Sequence, residues 1–326
     1  MTTVISETSE FDLIRRYFSR PAPTAILGGG DDCALVSPRH GMVLAVSTDM
    51  LVEGTHFLPG TDPERLGHKT LAVNLSDLAA MGADARWALL SVCLPAVDEA
   101  WVAAFARGFH ALAGRTGVEL IGGDTTRGPL CLSVTVMGEL PAGLELRRGG
   151  ASLGDDIWLS GATGEAALAL ACLQGRATLN AALLADCRAR LEAPEPRLEL
   201  GGRLRGMACS AIDISDGLVA DLGHICEASS LKAELTIDRL PRAPALLACD
   251  DASLVQECLL AGGDDYELVF TAPVTARSDI AALADELHVS LTRIGSMQPG
   301  APGVSVRKAD GGEVKLARRG FDHFQS

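Results

Sequence analysis

Five times along its length the chain seats carboxylates on or beside glycine: GGGDD at 28–32, IGGDTT at 121–126, LGDD at 153–156, IDISDG at 212–217 and GGDDYE at 262–267. Glycine reaches positive φ and lets the main chain approach a ligand closely, so such a turn at a strand end presents N–H groups and a carboxylate together. That pairing suits a metal–phosphate complex. Magnesium takes hard oxygen ligands, commonly one or two carboxylates, with water and substrate phosphates supplying the rest. One such turn alone also reads as a solvated Asx turn. Five of them, most beside predicted strands, favour a shared role.

The segments between the turns alternate in period. Ser9, with Asp12 three residues on, predicts a capped short helix with Phe11, Ile14, Tyr17 and Phe18 on one face. Residues 42–50 read as a buried strand ending in polar residues, 62–81 as a helix, 87–94 as a strand, and 98–117 as a helix closed by Gly117. Strands are expected at 118–123 and 131–140. Pro, Gly and Arg break the pattern over 139–154, which predicts a domain boundary there. Beyond it, strands are expected at 156–161, 210–215, 233–237, 266–271 and 291–297, and helices at 164–174, 196–205, 217–229 and 275–288. The expected fold class is α/β with mixed α+β layers, in two domains, 1–140 and 150–326. A chain of 326 residues matches that count at roughly 150 residues per domain.

Composition narrows the partners. With 42 acidic and 28 basic residues the formal net charge is −14, so nucleic acid and anionic membrane surfaces are repelled at long range, and a phosphorylated ligand must arrive with cations. Aromatic residues make up only 4%, which argues against stacking platforms for bases. The start, MTTVISETSEFDL, lacks a basic flank followed by an apolar stretch, and no window approaches the roughly 20 apolar residues of a membrane span, so a cytoplasmic protein is expected. Nine cysteines lie singly, without a C-x-x-C pair, and read as reduced core residues; the seven histidines form no zinc motif with them.

Several familiar motifs are absent. None of Lys69, Lys232, Lys308 and Lys315 completes a P-loop, and the dinucleotide-binding and protein-kinase signatures are missing as well. GASLG at 150–154 matches the nucleophile-elbow pattern around Ser152, but LELRRGG precedes it where a buried strand is required.

Two further segments bear on the acidic turns. In the predicted helix 62–81, Thr70, Asn74 and Asp77 form one narrow stripe among Leu71, Val73, Leu75, Leu78 and Met81. Buried, that carboxylate needs a cation or a full set of donors; alternatively the stripe is an ordinary exposed face. STDMLVEGTHF at 47–57 places Ser47, Thr48 and Asp49 at a strand end, where hydroxyls and a carboxylate can serve magnesium or its waters. His56 reads as a structural histidine or as a contact to an anionic substrate.

GGGDDCAL, STDMLVEGTHF, LAVNLSDLAAMGA, IGGDTTRGPL, AIDISDGLVADLGHI, GGDDYELVFT and the terminal GFDHF, in that order, closely resemble the thiamine-monophosphate kinase family of the aminoimidazole ribonucleotide synthetase-like superfamily. The resemblance runs from about residue 10 to 324. It implies ATP-dependent conversion of thiamine monophosphate to thiamine diphosphate with several magnesium ions, in a cleft between the domains. It also implies a strand-rich N-terminal domain that dimerises into a homodimer and a C-terminal α/β domain. Carried over by position, it implies metal ligands at Asp32, Ser47, Thr48, Asp49, Asp77, Asp124, Asp213 and Asp216. ATP contacts would fall on Gly123, Asp124, Arg148 and Ser215, and the thiamine phosphate on His56, Asp264 and Phe321. No residue is implied as a general base. Two positions depart from the family pattern: Gly29 stands for an apolar residue and Asp264 for Glu. The 154–156 GDD is assigned no metal. Alternative readings are another ATP-dependent synthetase of the superfamily and a non-catalytic nucleotide-binding regulator.

Overall fold

A computed structural model describes residues 9–316 together with Arg318, Gly320 and Phe321. The 322–324 portion of the terminal GFDHF segment lies outside the described residues. The chain divides into two compact units, one of Met1–Leu78 and Asp84–Ala142, the other of Ala79–Ala83 and Gly143–Ser326.

In the first unit, Ser9 and Asp12 form a reciprocal capping box on α1 (Glu10–Leu13), as the spacing predicts. The chain then widens into a π-helical turn, Ile14–Phe18, and Leu13 is buried while Phe11 stays largely exposed. The change in residues per turn displaces Phe11 from the expected apolar face. Strand β1 (Met42–Val52), helix α2 (Pro63–Ala80), β2 (Asp84–Leu94), α3 (Glu99–Thr116), β3 (Glu119–Arg127) and β4 (Cys131–Pro141) follow. They build a four-stranded sheet in the order β1-β4-β2-β3. β1 and β2 pair antiparallel with β4, whereas β3 is parallel to β2, with α3 as the crossover that a parallel pair requires. Alternate residues of β4, Leu132, Val134 and Val136, are fully buried on one face. The intervening Cys131, Ser133 and Thr135 are partly exposed on the other.

Helices α2 and α3 meet through glycine. A Cβ on Gly67 would lie 2.0 Å from the Phe105 carbonyl oxygen, and one on Gly108 would lie 1.7 Å from that of Glu64. The backbones therefore touch where any side chain would hold them apart.

The second unit carries a six-stranded sheet of order β10-β7-β9-β5-β8-β6. Its elements run β5 (Asp156–Ser160), α4 (Glu165–Leu173), α5 (Ala181–Glu192), α6 (Leu198–Leu204), β6 (Ser210–Asp213), α7 (Leu218–Ser229) and β7 (Lys232–Thr236). They continue with α8 (Pro244–Leu247), α9 (Ala252–Ala261), β8 (Leu268–Ala272), α10 (Arg277–Leu287), β9 (Leu291–Gln298) and β10 (Gly303–Arg307). Side chains leave the strands alternately into two cores. Ile157, Leu159, Ile212 and Val269 join the core with α4, α7 and α9. Trp158, Ala211, Leu268 and Phe270 join the one with α6 and α10. Four of these elements, α5, α8, α9 and β10, carry no expectation from the apolar pattern. No helix among the described residues is long and apolar enough to cross a membrane.

Candidate active site

In the first unit the polar stripe of α2 is turned inward: Thr70 and Asn74 are fully buried and Asp77 half-buried. The reading of that stripe as an exposed face is therefore overturned. Thr70 donates its hydroxyl to the Leu66 carbonyl at 2.7 Å. Asn74 donates through Nδ2 to the Thr70 carbonyl at 3.1 Å and accepts the Asp49 N–H on Oδ1 at 2.8 Å. Asp77 Oδ2 accepts from the Ser47 hydroxyl at 2.5 Å. The helix thus grips β1 at two points, leaving the Asp49 carboxylate on the exposed side. Thr48 donates to the Val134 carbonyl at 3.0 Å and accepts from Thr135 at 3.0 Å.

Two of the glycine turns come together at β3, on the sheet edge opposite β1. Gly29 runs so close to β3 that a Cβ there would sit 3.3 Å from the Ile121 carbonyl oxygen. The GGGDD turn, with exposed Asp32, is thereby laid against the strand that carries exposed Asp124. Gly123 has φ +152°, and a Cβ on it would lie 1.8 Å from the Leu90 carbonyl oxygen, so close strand approach alone demands glycine there. His56 is partly structural: its Nδ1 accepts the Val52 N–H at 3.0 Å, which leaves Nε2 as the ring nitrogen carrying the proton when neutral.

In the second unit Asp213 is buried at the end of β6 and opens a turn, Ser215–Gly217, that leads into α7. Three consecutive N–H groups of that turn, Ser215, Asp216 and Gly217, donate to one oxygen, Oδ2 of Asp221, at 3.0, 3.0 and 3.1 Å. Burial, with the nearby Asp216 charge, pushes the Asp221 carboxyl up to about 7. On the opposite side of the same turn, the Ser215 carbonyl accepts the Asp264 N–H at 2.9 Å and the Asp216 carbonyl accepts the Phe321 N–H at 3.0 Å. Asp264 has φ 66° and accepts the Tyr266 hydroxyl at 3.1 Å. Ser215, Asp216, Asp264 and Phe321 therefore share one turn. Arg148 is exposed, and its backbone carbonyl accepts from the Ser229 hydroxyl at 3.4 Å.

The neighbouring Asp265 accepts the Gly164 N–H at 2.9 Å on Oδ1, while its shielded Oδ2 has no hydrogen-bond partner among the described residues. Burial raises this carboxyl well above the usual range. At 154–156 both carboxylates are engaged within the fold: Asp155 accepts the Ser152 N–H at 2.8 Å and Asp156 pairs with Arg277 and Arg293. The Ser152 N–H thus closes a tight turn, and no strand precedes it after Pro141.

Among the described residues no three His, Cys, Asp or Glu side chains converge to hold a metal by themselves. The Ser47–Asp77 contact nevertheless sets two oxygen donors side by side with Asp49 on the neighbouring stretch of β1, a hard, incomplete donor set. Such a set fits magnesium, which completes its shell with water and phosphate oxygens. Positional reasoning alone passes over Asn74 as the anchor of Asp49, and Asp221 altogether. A sequence signal for Asp221 does exist: it lies in the apolar stripe Leu218, Leu222 and Ile225 of α7, where a carboxylate needs donors.

Residues 30–140 match the family described as AIR synthase related protein, N-terminal domain. Thiamine-monophosphate kinase of Salmonella typhimurium is 44% identical over 321 residues, spanning 97% of this chain and 98% of the relative. The crystal structure of thiamine-monophosphate kinase from Stenotrophomonas maltophilia superposes with a TM-score of 0.84 at 48% identity, covering 95% of this chain and 98% of that one. AaThiL complexed with AMPPCP and TMP superposes with a TM-score of 0.76 at 30% identity, covering 88% and 89%. Likeness at this level, end to end in both partners of each comparison, places the chain in the thiamine-monophosphate kinase family.

Proposed function

We propose that the chain transfers the γ-phosphoryl group of ATP to thiamine monophosphate, giving thiamine diphosphate and ADP. The observation that carries this reading is the likeness, over 88% of the chain, to a relative solved with AMPPCP and TMP. The oxygen donors of β1, α2 and the β6–α7 turn are of the kind that metal–polyphosphate ligands require.

In this reading Gly123, Asp124, Arg148 and Ser215 contact the nucleotide, and His56, Asp264 and Phe321 contact the acceptor. Asp32, Ser47, Thr48, Asp49, Asp77, Asp124, Asp213 and Asp216 would hold magnesium. Several bound magnesium ions would neutralise the approaching phosphates and the charge of the transition state. The acceptor is a phosphate monoester with a second pKa of about 6, so at neutral pH it is largely dianionic and needs no general base. One of its oxygens forms the new bond to the γ-phosphorus as the bond to the ADP oxygen breaks in line. Asn74 fixes Asp49 and Asp77 fixes Ser47, so the chain's task is positioning rather than proton transfer. Incubation with ATP, magnesium and thiamine monophosphate, followed by chromatography, tests this: thiamine diphosphate is expected, and its absence refutes the reading.

We also infer that two copies pair through the first unit. β1 is an edge strand exposing Val43, Leu44, Val46 and Met50; the last three share one face of the strand, a row that a second copy would cover. Light scattering on Val46→Lys tests it, with a monomer expected for the variant and a dimer for the natural chain.

A further inference from the structure

The Ser215–Gly217 turn has the form of an anion nest, in which consecutive main-chain N–H groups converge on one point. Its occupant is internal. Asp221, 3% exposed, receives all three N–H groups on Oδ2 at 3.0–3.1 Å, and its own N–H is tied to the Gly217 carbonyl at 3.0 Å. Those donors are therefore spent inside the protein, and a ligand can meet the turn only through the side chains of Ser215 and Asp216.

The outer side of the turn is equally committed. Its two carbonyls take the N–H groups of Asp264 and Phe321 at 2.9 and 3.0 Å. Glycine makes this approach possible: a Cβ on Gly263 would lie 2.2 Å from the Ser215 carbonyl oxygen, and one on Gly320 would lie 2.8 Å from that of Asp216. Gly217 itself has φ +126°, with a would-be Cβ 2.8 Å from the Ala261 carbonyl carbon. Two chain segments distant in sequence, 261–264 and 320–321, thus converge on a turn whose inner face is set by one buried carboxylate.

We infer that Asp221 is a positioning residue for the reaction: by holding the Ser215–Gly217 turn it sets where Asp216, Asp264 and Phe321 meet magnesium and the phosphorylated acceptor. This rests on the thiamine-monophosphate kinase reading. Asp221 itself touches neither ligand. An ordinary helix cap would stabilise α7 and do no more; what distinguishes Asp221 is that the backbone it holds is the backbone from which the acceptor-side residues hang.

The test compares Asp221→Asn and Asp221→Ala with Ile225→Val, an apolar change one turn along the buried stripe of α7 that removes none of the turn's hydrogen bonds. For each, the melting temperature, the kinetic constants for thiamine diphosphate formation, and the calorimetric Kd for thiamine monophosphate without ATP are measured. Asp221→Asn keeps the shape but replaces the carboxyl oxygen that receives all three N–H groups with a weaker amide acceptor. It is expected to raise the KM and Kd for thiamine monophosphate and the half-saturating magnesium concentration by about fivefold or more. Asp221→Ala is expected to raise them further, and Ile225→Val to lower the melting temperature with all three unchanged. If Asp221→Ala does not fold, Asp221→Asn decides alone. Asp221 variants that melt lower but keep all three constants within about twofold of the natural chain overturn the inference while leaving the activity intact. An inactive natural chain overturns the reading and this inference with it.

Discussion

The Ser47 hydroxyl on β1 and the Asp77 carboxylate on α2 stand 2.5 Å apart, joining the edge of the sheet to a helix through two oxygens. Both are ligand types for magnesium, and each restrains the other's position.

Removing the charge at this contact is expected to be costly for turnover and mild for folding, because positioning and charge stabilisation dominate phosphoryl transfer. Asp77→Asn should lower kcat by ~10² or more, as should Asp32→Asn and Asp213→Asn, and chelation of magnesium should abolish turnover. Steady-state kinetics with saturating substrates checks this. Near-natural rates in all three variants would remove the metal assignment.

Asn74 is expected to matter for stability. It is fully buried with both ends of its amide engaged, so Asn74→Ala removes the acceptor of the Asp49 N–H, while the Thr70 carbonyl keeps its helical partner. A loss of about 1–3 kcal/mol in urea unfolding is expected from the loss of that acceptor. A loss near zero would mean that water takes the place of the amide.

Asp264 offers a separation of substrates. It is fixed through its N–H to Ser215 and through its carboxylate to Tyr266, beside Phe321's link to the same turn. Asp264→Ala should raise the KM for thiamine monophosphate by about tenfold and leave that for ATP nearly unchanged. Equal effects on both would point to a metal or structural role.

His56 has one ring nitrogen occupied by the Val52 N–H, which suits binding better than proton shuttling. His56→Ala should therefore impair the KM for thiamine monophosphate more than kcat, and unphosphorylated thiamine should not be turned over. A comparable rate with free thiamine, or an isolable phosphohistidine, would contradict direct transfer.

Acid stability should depend on Asp156. The hydrogen bonds from Arg277, at 2.5 and 2.8 Å, and the charges of Arg277 and Arg293 hold this carboxyl below its ordinary value. A folded-state pKa below the unfolded one adds stability that is present above about pH 4 and is lost as pH falls through the folded value. Asp156→Asn should therefore lower the urea midpoint at pH 7, and the gap from the natural chain should close at lower pH. A gap that is constant with pH would mean that packing, not charge, is at stake.

Apolar period made strands such as β4 legible, because its residues alternate between a buried and a partly exposed face, whereas β5 reads as a short continuous apolar run buried on both faces. The period was silent on α5, where only Cys187, Leu191 and Glu192 are buried, and it missed α9, where Leu254, Val255, Cys258 and Leu259 form a short buried face opposite Ser253, Gln256 and Glu257. β10 is a short edge strand next to Gly and Pro, and pairing with β7 rather than composition makes it a strand. At the candidate site, carboxylates on glycine turns were visible as such. What could not be read was how they are held: the seating of Asp49 on Asn74 joins a strand to a helix 25 residues on, and only the local grip of Asp221 on the Ser215–Gly217 turn left a sequence signal, a carboxylate in an apolar stripe.

The glycine contact between α2 and α3 works as a fulcrum. Gly67 lies ten positions before Asp77, roughly 15 Å along the helix axis at 1.5 Å per residue. A methyl group at Gly67 or Gly108 would wedge the two backbones apart and rock α2, swinging its far end by a distance comparable to the wedge. Displacements of about 1 Å at a reacting centre can cost ~10² in rate. A silent-looking alanine in the helix interface, away from any ligand, would then act as a catalytic lesion, with Asp77 chemically intact and merely out of reach.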